Sequence, residues 1–129
     1  MDGTMLGGTG QKPLAYQVAN LQGIGARERQ EDGFAFVNAI SPDRAQTEGL
    51  FALICDGMGG MADGKVACET AIASLVADFK SSDRMGDLPA QMVQSLRIAG
   101  QKVYAKIGGM GGTTAIFCIF NPKRYLFFK

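Results

Sequence analysis

Hydrophobic residues along this chain change their spacing twice, and the change limits the folds open to it. Residues 50–55 (LFALIC) form a continuous apolar run, as in a strand that is covered on both faces. Two segments with helical spacing follow it, and then comes the β-branched and aromatic run at 113–120. Strands, two helices and strands in this order predict an α+β fold, with an antiparallel sheet and the helices on one face.

Each helical segment carries one apolar stripe. Apolar residues recur at i, i+4, i+7 and i+11, which predicts a helix with one buried face. The first stripe is Cys68, Ile72, Leu75 and Phe79, and the second is Met92, Leu96, Ala99 and Val103. Asp63 and Asp87 stand at the predicted helix starts, where a carboxylate accepts hydrogen bonds from backbone N–H groups.

Shorter patterns complete the predicted element order. The glycines within 56–60 predict that the buried strand ends at Cys55. Residues 1–13 are expected to form a flexible leader, and 14–129 to form one domain. Strands are further predicted at 14–18, 34–37 and 125–128, and turns at 41–44 and 121–124.

Composition removes several classes of function. The 129 residues include no histidine, which excludes Ser-His-Asp triads, Cys-His dyads and histidine-ligated zinc. Cys55, Cys68 and Cys118 are an odd and widely spaced set, so a disulfide framework or a cysteine-only zinc site is not expected. We expect a cytoplasmic protein without a membrane partner, because no signal peptide and no apolar run of about 20 residues is present. A net charge of +1 gives no reason to expect nucleic acid.

Charge is unevenly distributed along the chain. All 12 acidic residues lie within 1–87, and none lies within 88–129. Chemistry that needs carboxylates is therefore confined to the first two thirds of the sequence. The basic end is interpreted as a solvated helix face followed by a turn.

Asp56 is the first candidate functional residue. It follows a buried strand, where an unpaired carboxylate is costly, and the next residues are Gly-Met-Gly-Gly. Glycines expose backbone carbonyl oxygens, and carboxylate and carbonyl oxygens are the ligands that suit Mg²⁺ or Mn²⁺. The alternative is that Asp56 opens a turn or caps the next helix.

Two further motifs carry weaker signals. Glu31 and Asp32 are adjacent, so they can serve one site only at an irregular strand end, and an exposed charged loop is the alternative. Arg27 has the planar fork that binds a phosphate oxygen pair, although arginines are also common on surfaces. Residues 111–115 (GGTTA) are interpreted as a helix end and a strand start.

Together, these motifs resemble those of a known enzyme family. Residues 27–32 (RERQED), 55–60 (CDGMGG) and 111–115, in this order, resemble the N-terminal motifs of the metal-dependent protein phosphatases, the PP2C or PPM family. The variant with Met58 resembles the bacterial branch. The resemblance implies a sandwich of two antiparallel β-sheets flanked by helices, and the hydrolysis of phosphoserine or phosphothreonine in a protein substrate.

The resemblance also implies roles for individual residues. The family site holds two Mn²⁺ or Mg²⁺ ions, and a metal-activated water attacks the phosphate ester, so no catalytic side chain is expected. Asp56 would bridge the metals, and Gly57 would offer its backbone carbonyl. Glu31 and Asp32 would act through metal-bound waters, and Arg27 would bind the substrate phosphate.

The sequence departs from the family pattern in three ways. Gln30 replaces an asparagine that is common in bacterial members, and Met58 replaces a histidine of many eukaryotic members. The resemblance covers only the N-terminal portion of the family domain, without its later metal-binding aspartates. We therefore expect weak metal binding and little turnover by this chain, and self-association through an exposed sheet edge.

Two alternatives remain open. The chain is either an incomplete phosphatase domain or a phosphatase-like module that binds a phosphorylated partner without turnover. A nucleotide-binding or phosphate-binding protein that uses the glycines at 57–60 is disfavoured, because no phosphate-binding glycine pattern opens a helix.

Overall fold

The computed structural model describes residues 15–59, 63–82 and 86–120, and the backbone of 125–128. The predicted leader at 1–13, Leu14 and the predicted turn at 121–124 lie outside these residues. The elements are β1 (Asp32–Val37), α1 (Pro42–Glu48), β2 (Leu50–Met58), α2 (Asp63–Ser81), α3 (Leu88–Ile107), β3 (Gly112–Phe120) and β4 (Tyr125–Phe128).

The strands form an antiparallel sheet in the order β1-β2-β3-β4. Helices α2 and α3 pack against each other, and α2 lies across β1, β2 and β3. The predicted α+β class is therefore confirmed, with α2 and α3 on one face of the sheet. The described residues form this one sheet, which we divide into a helix face and an open face.

The hydrophobic core lies between the sheet and the two long helices. Phe51 and Leu53 on β2 are fully buried on the helix face, and the Phe51 ring lies 4.9 Å from that of Phe79 and 5.8 Å from that of Phe117, centroid to centroid. Burying each such side chain contributes about 2–3 kcal/mol. Ile54, which points to the open face, is 63% exposed, so the described residues cover β2 on one face rather than on both.

Both predicted helical stripes are confirmed. Every member of the two stripes is buried or partly buried against the core. The side chain of Asp87 accepts a hydrogen bond of 3.1 Å from the Ala90 N–H, as predicted for a helix cap. Helix α3 ends at Ile107 and is capped by Gly108, which has a φ of 62° and whose N–H donates to the Tyr104 carbonyl. Asp63 is the first residue within α2, one position further into the helix than a capping residue would be.

Three local predictions are wrong. Residues 15–18 are not in a strand. The predicted turn at 41–44 is the start of α1, because Pro42 suits the first turn of a helix and Ala45 is fully buried. Strand β2 continues past Cys55 to Met58, since 56–58 pair with 112–114 of β3, and this pairing stabilises the extended backbone despite its glycine.

No helix in the described part of the chain has both the length and the apolar character needed to cross a membrane.

Candidate metal-binding site

Asp32 and Asp56 lie directly opposite each other on neighbouring strands. Asp32 begins β1, and the antiparallel register pairs it with Asp56 of β2. Residues paired in this way point to the same face, with Cβ atoms about 5 Å apart. Both side chains are exposed on the open face, at one end of the sheet. The structure therefore brings together two of the acidic residues that the sequence singled out.

The two carboxyl groups interact with each other. The pKa of Asp32 is raised above its usual value, first by a hydrogen bond with Asp56, then by partial desolvation and by the negative charge of Asp56. The charge of Arg27 lowers the pKa of Asp32, and that of Glu31 raises it. The pair thus favours a bound proton, and the same preference for positive charge would favour a cation.

Glu31 lies where β1, β2 and α2 meet. It directly precedes β1, and its backbone carbonyl accepts a hydrogen bond of 3.2 Å from the Gly57 N–H. Its carboxylate lies against the first turn of α2, where a Cβ added at Gly64 would be 2.6 Å from the Glu31 Oε2. Glu31 therefore adjoins Asp32 at the start of β1, with its carboxylate against α2.

Gly57 allows this close approach. A Cβ at position 57 would clash with the Gly64 carbonyl oxygen and would lie 2.6 Å from the Glu31 carbonyl oxygen. Both clashes involve backbone atoms, so neither is relieved by a side-chain rotation. Packing alone therefore explains why position 57 is a glycine. The role of its carbonyl as a metal ligand stays a prediction.

Among the described residues, no third metal-ligating side chain joins Asp32 and Asp56 to form a metal-binding group. Across residues 15–59, 63–82 and 86–120, no group of three His, Cys, Asp or Glu side chains is arranged to hold a metal ion. Asp32 and Asp56 therefore form a two-carboxylate centre, and Glu31 stands beside it.

Arg27 is placed in the turn before β1. Its backbone N–H donates to the Ile24 carbonyl at 3.2 Å, and its side chain is exposed. Within the described part of the chain the guanidinium forms no ion pair, but it is near enough to lower the pKa of Asp32. Arg27 therefore contributes positive charge next to the aspartate pair and keeps its fork available.

Two polar residues position the aspartates in ways that the sequence argument missed. Gln30 Oε1 accepts a hydrogen bond of 3.2 Å from the Asp32 N–H, and Gln30 Nε2 donates to the Gly23 carbonyl. Thr114, opposite Asp56 on β3, accepts a hydrogen bond of 3.2 Å from the Asp56 N–H. Period-2 spacing places Thr114 on the Asp56 face, but only the strand register makes the two residues neighbours.

Two thiols lie beneath the site on the helix face. Cys55 and Cys68 are buried, and the Cys68 thiol donates to the Cys55 carbonyl at 3.8 Å. Burial, together with the neighbouring Cys68, raises the pKa of Cys55 to about 12. Both cysteines are free, and Cys55 is a neutral thiol near pH 7, so it packs as a small apolar side chain.

Comparison with known proteins does not assign this chain to a family. No protein-family model and no curated protein sequence matches this chain.

Proposed function

We propose that this chain carries part of the catalytic site of a metal-dependent phosphoprotein phosphatase that acts on phosphoserine or phosphothreonine. The observation that carries the proposal is the pairing of Asp32 with Asp56, whose side chains are in contact on the open face of the sheet. Arg27 supplies positive charge beside them. Two carboxylates with an adjacent arginine provide a place for a divalent cation and one for a phosphate group.

The donor set fits a hard cation. Two carboxylates without histidine or an ionised thiol suit Mg²⁺ or Mn²⁺, and a divalent ion would relieve the repulsion between Asp32 and Asp56. In the complete family site two such ions acidify a water molecule and neutralise the phosphate. In this chain Asp32 and Asp56 would hold the ion, with the Gly57 carbonyl and Glu31 as further oxygen ligands.

Arg27 would orient the substrate. Its guanidinium fork matches two phosphate oxygens, and its position next to the acidic pair would place the phosphate beside the cation. The proposal includes a phosphorylated protein as substrate and a cytoplasmic location.

A second candidate is a phosphatase-like module that binds a phosphorylated segment without hydrolysing it. Among the described residues only two acidic side chains come together, and this incomplete ligand set favours the binding module over the enzyme. We therefore expect the isolated chain to bind Mn²⁺ weakly, with a Kd of about 1 mM, comparable to the weakest carboxylate calcium sites.

Calorimetric titration with Mn²⁺ tests the metal site. Asp56→Asn and Asp32→Asn should each abolish the binding heat, because each removes one of the two paired carboxylate charges that hold the ion. Asp43→Asn, which changes an exposed acid on α1, is the matched control and should bind like the unmodified chain. Equal binding by Asp56→Asn and the unmodified chain would contradict the proposal.

Hydrolysis of p-nitrophenyl phosphate and of a phosphothreonine peptide separates the two candidates. Mn²⁺-dependent turnover that is lost in Asp56→Asn supports the enzyme. Peptide binding that is lost in Arg27→Ala, without turnover, supports the binding module.

A further inference from the structure

A groove runs between the outer sides of α2 and α3, away from the acidic pair. It has a volume of about 710 Å³ and lies between the first half of α2 and the last two turns of α3. Ala73, Ser74 and Ala105 lie along it, and we call it the α2–α3 groove. None of the residues of the candidate metal site lines it.

One rim of the groove is basic. Lys102 and Lys106 line it from α3, one helical turn apart, and both are exposed. Neither forms an ion pair with a described residue, and α3 contains no acidic residue that could neutralise them. Like charges at this spacing destabilise a helix by about 0.2–0.5 kcal/mol. An acidic group in the groove would reverse that effect.

The opposite rim does not neutralise the lysines. Glu69 lines the groove from α2, but it already pairs with Lys65 on its own helix, at 3.8 Å. Because Glu69 pairs with Lys65, the charges of Lys102 and Lys106 are free to pair with acidic groups of another molecule.

The groove floor has the shape and chemistry of a helix-packing surface. Ala73 and Ala105 are small, so the backbone of another helix can approach closely between α2 and α3. Ser74 is only 5% exposed, and its hydroxyl has no hydrogen-bond partner among the described residues. A buried hydroxyl without a partner costs about 1–3 kcal/mol. A partner side chain that forms a hydrogen bond with it from the groove would therefore stabilise the complex.

We propose that the α2–α3 groove docks an amphipathic helix of a partner protein whose facing side is acidic. Glutamates or aspartates of that helix pair with Lys102 and Lys106, and its small or apolar residues lie on the alanine floor. The partner is a helix because the groove lies between two packed helices, where a third helix completes a three-helix contact. The inference is independent of the proposed function, since it uses none of the same residues.

Fluorescence anisotropy with two synthetic helices tests the proposal. The probe is an alanine-based peptide of about 20 residues, long enough to be helical, with two glutamates four positions apart and leucines beside them. The control peptide has lysines in place of the glutamates. The glutamate peptide should bind the full chain at least about tenfold more tightly than the lysine peptide, a difference of about 1.4 kcal/mol.

Variants locate the binding in the groove. Lys102→Glu combined with Lys106→Glu should reverse the preference between the two peptides. Arg97→Glu makes one such charge reversal on α3 outside the groove, and it should leave the preference for the glutamate peptide unchanged. Ala105→Trp fills the groove without a charge change and should also block the glutamate peptide. Circular dichroism and thermal melting check that each variant is folded.

Several results would overturn the proposal. They are equal affinity for the two peptides, unchanged binding in the double lysine variant, and loss of binding in Arg97→Glu. Tighter binding of a single-stranded oligonucleotide than of the glutamate peptide would assign the groove to nucleic acid. Dimerisation that the double lysine variant abolishes would assign it to a second copy of the chain.

Discussion

Asp32 and Asp56 place like charges on neighbouring strands, and this pairing has a measurable cost when no cation is bound. Directly opposed like charges destabilise an antiparallel pair by up to about 1 kcal/mol. A protein surface keeps such a contact when another requirement, such as binding a cation, outweighs the repulsion. Thr114 and Gln30 reinforce the arrangement, because each accepts a hydrogen bond from the backbone N–H of one aspartate.

We predict that Asp56→Asn stabilises the metal-free chain at neutral pH by about 0.5 kcal/mol. The pKa of Asp32 is raised above its usual 3.8, so the folded chain binds more protons than the unfolded chain in the acid range. The free energy of unfolding of the original chain should therefore fall as the pH rises from 3.8 through the raised pKa. In Asp56→Asn this fall should be smaller, because the asparagine carries no charge and can donate to Asp32.

Urea unfolding between pH 4 and 7, in the presence of a chelator, measures the difference in unfolding free energy between the two chains, which we expect to be about 0.5 kcal/mol at neutral pH. Asp43→Asn, an exposed acid on α1, should leave the pH profile as it was. A lower stability of Asp56→Asn than of the original chain at neutral pH would show that the two carboxylates do not repel each other.

At the scale of elements, the site depends on how closely β1, β2 and α2 approach one another. We predict that Gly57→Ala destabilises the chain by about 3 kcal/mol, because the added Cβ meets the backbone oxygens of Gly64 and Glu31. Gly100→Ala is the matched control on α3, where an added Cβ meets nothing within 4 Å. That change should stabilise the chain by up to about 1 kcal/mol, since alanine favours a helix interior.

Thermal melting compares these two substitutions, which add the same methyl group. The expected result is opposite signs of the change in melting temperature. A melting temperature for Gly57→Ala equal to that of the original chain would mean that the three elements separate easily, and the site would not be preorganised.

Hydrophobic spacing was sufficient to predict α2, α3 and the main strands. It failed at α1, because Pro42 fits a turn and a first helical turn equally well, and the burial of Ala45 decides between them. It also ended β2 too early, because local glycine content cannot reveal the pairing of Asp56 with Thr114. The site residues were named from motifs, but their proximity follows from strand register, which depends on how distant segments pair.

At the scale of the whole molecule, the open face of the sheet has an apolar surface next to the acidic pair. Ile54 and Ile116 are paired across β2 and β3, and they are 63% and 54% exposed. Phe34 and Phe36 of β1 lie on the same face, with ring centroids 5.8 Å apart. Among the described residues, strand β1 is also an edge of the sheet, and an edge strand can pair with a strand of another chain. The open face and this edge are the surfaces that another layer would cover.

We predict that the chain self-associates at high concentration through the open face and the adjoining edge, because association removes Ile54 and Ile116 from water. Ile54→Lys combined with Ile116→Glu should weaken this association, while the opposite charges form a favourable cross-strand pair. Ile40→Lys is the control, since Ile40 is 99% exposed and lies outside the sheet. Sedimentation equilibrium should give a mass that rises with concentration for the original chain and the control, and a monomer mass for the double variant. A monomer mass for the original chain at every concentration would exclude this role for the open face and for the β1 edge.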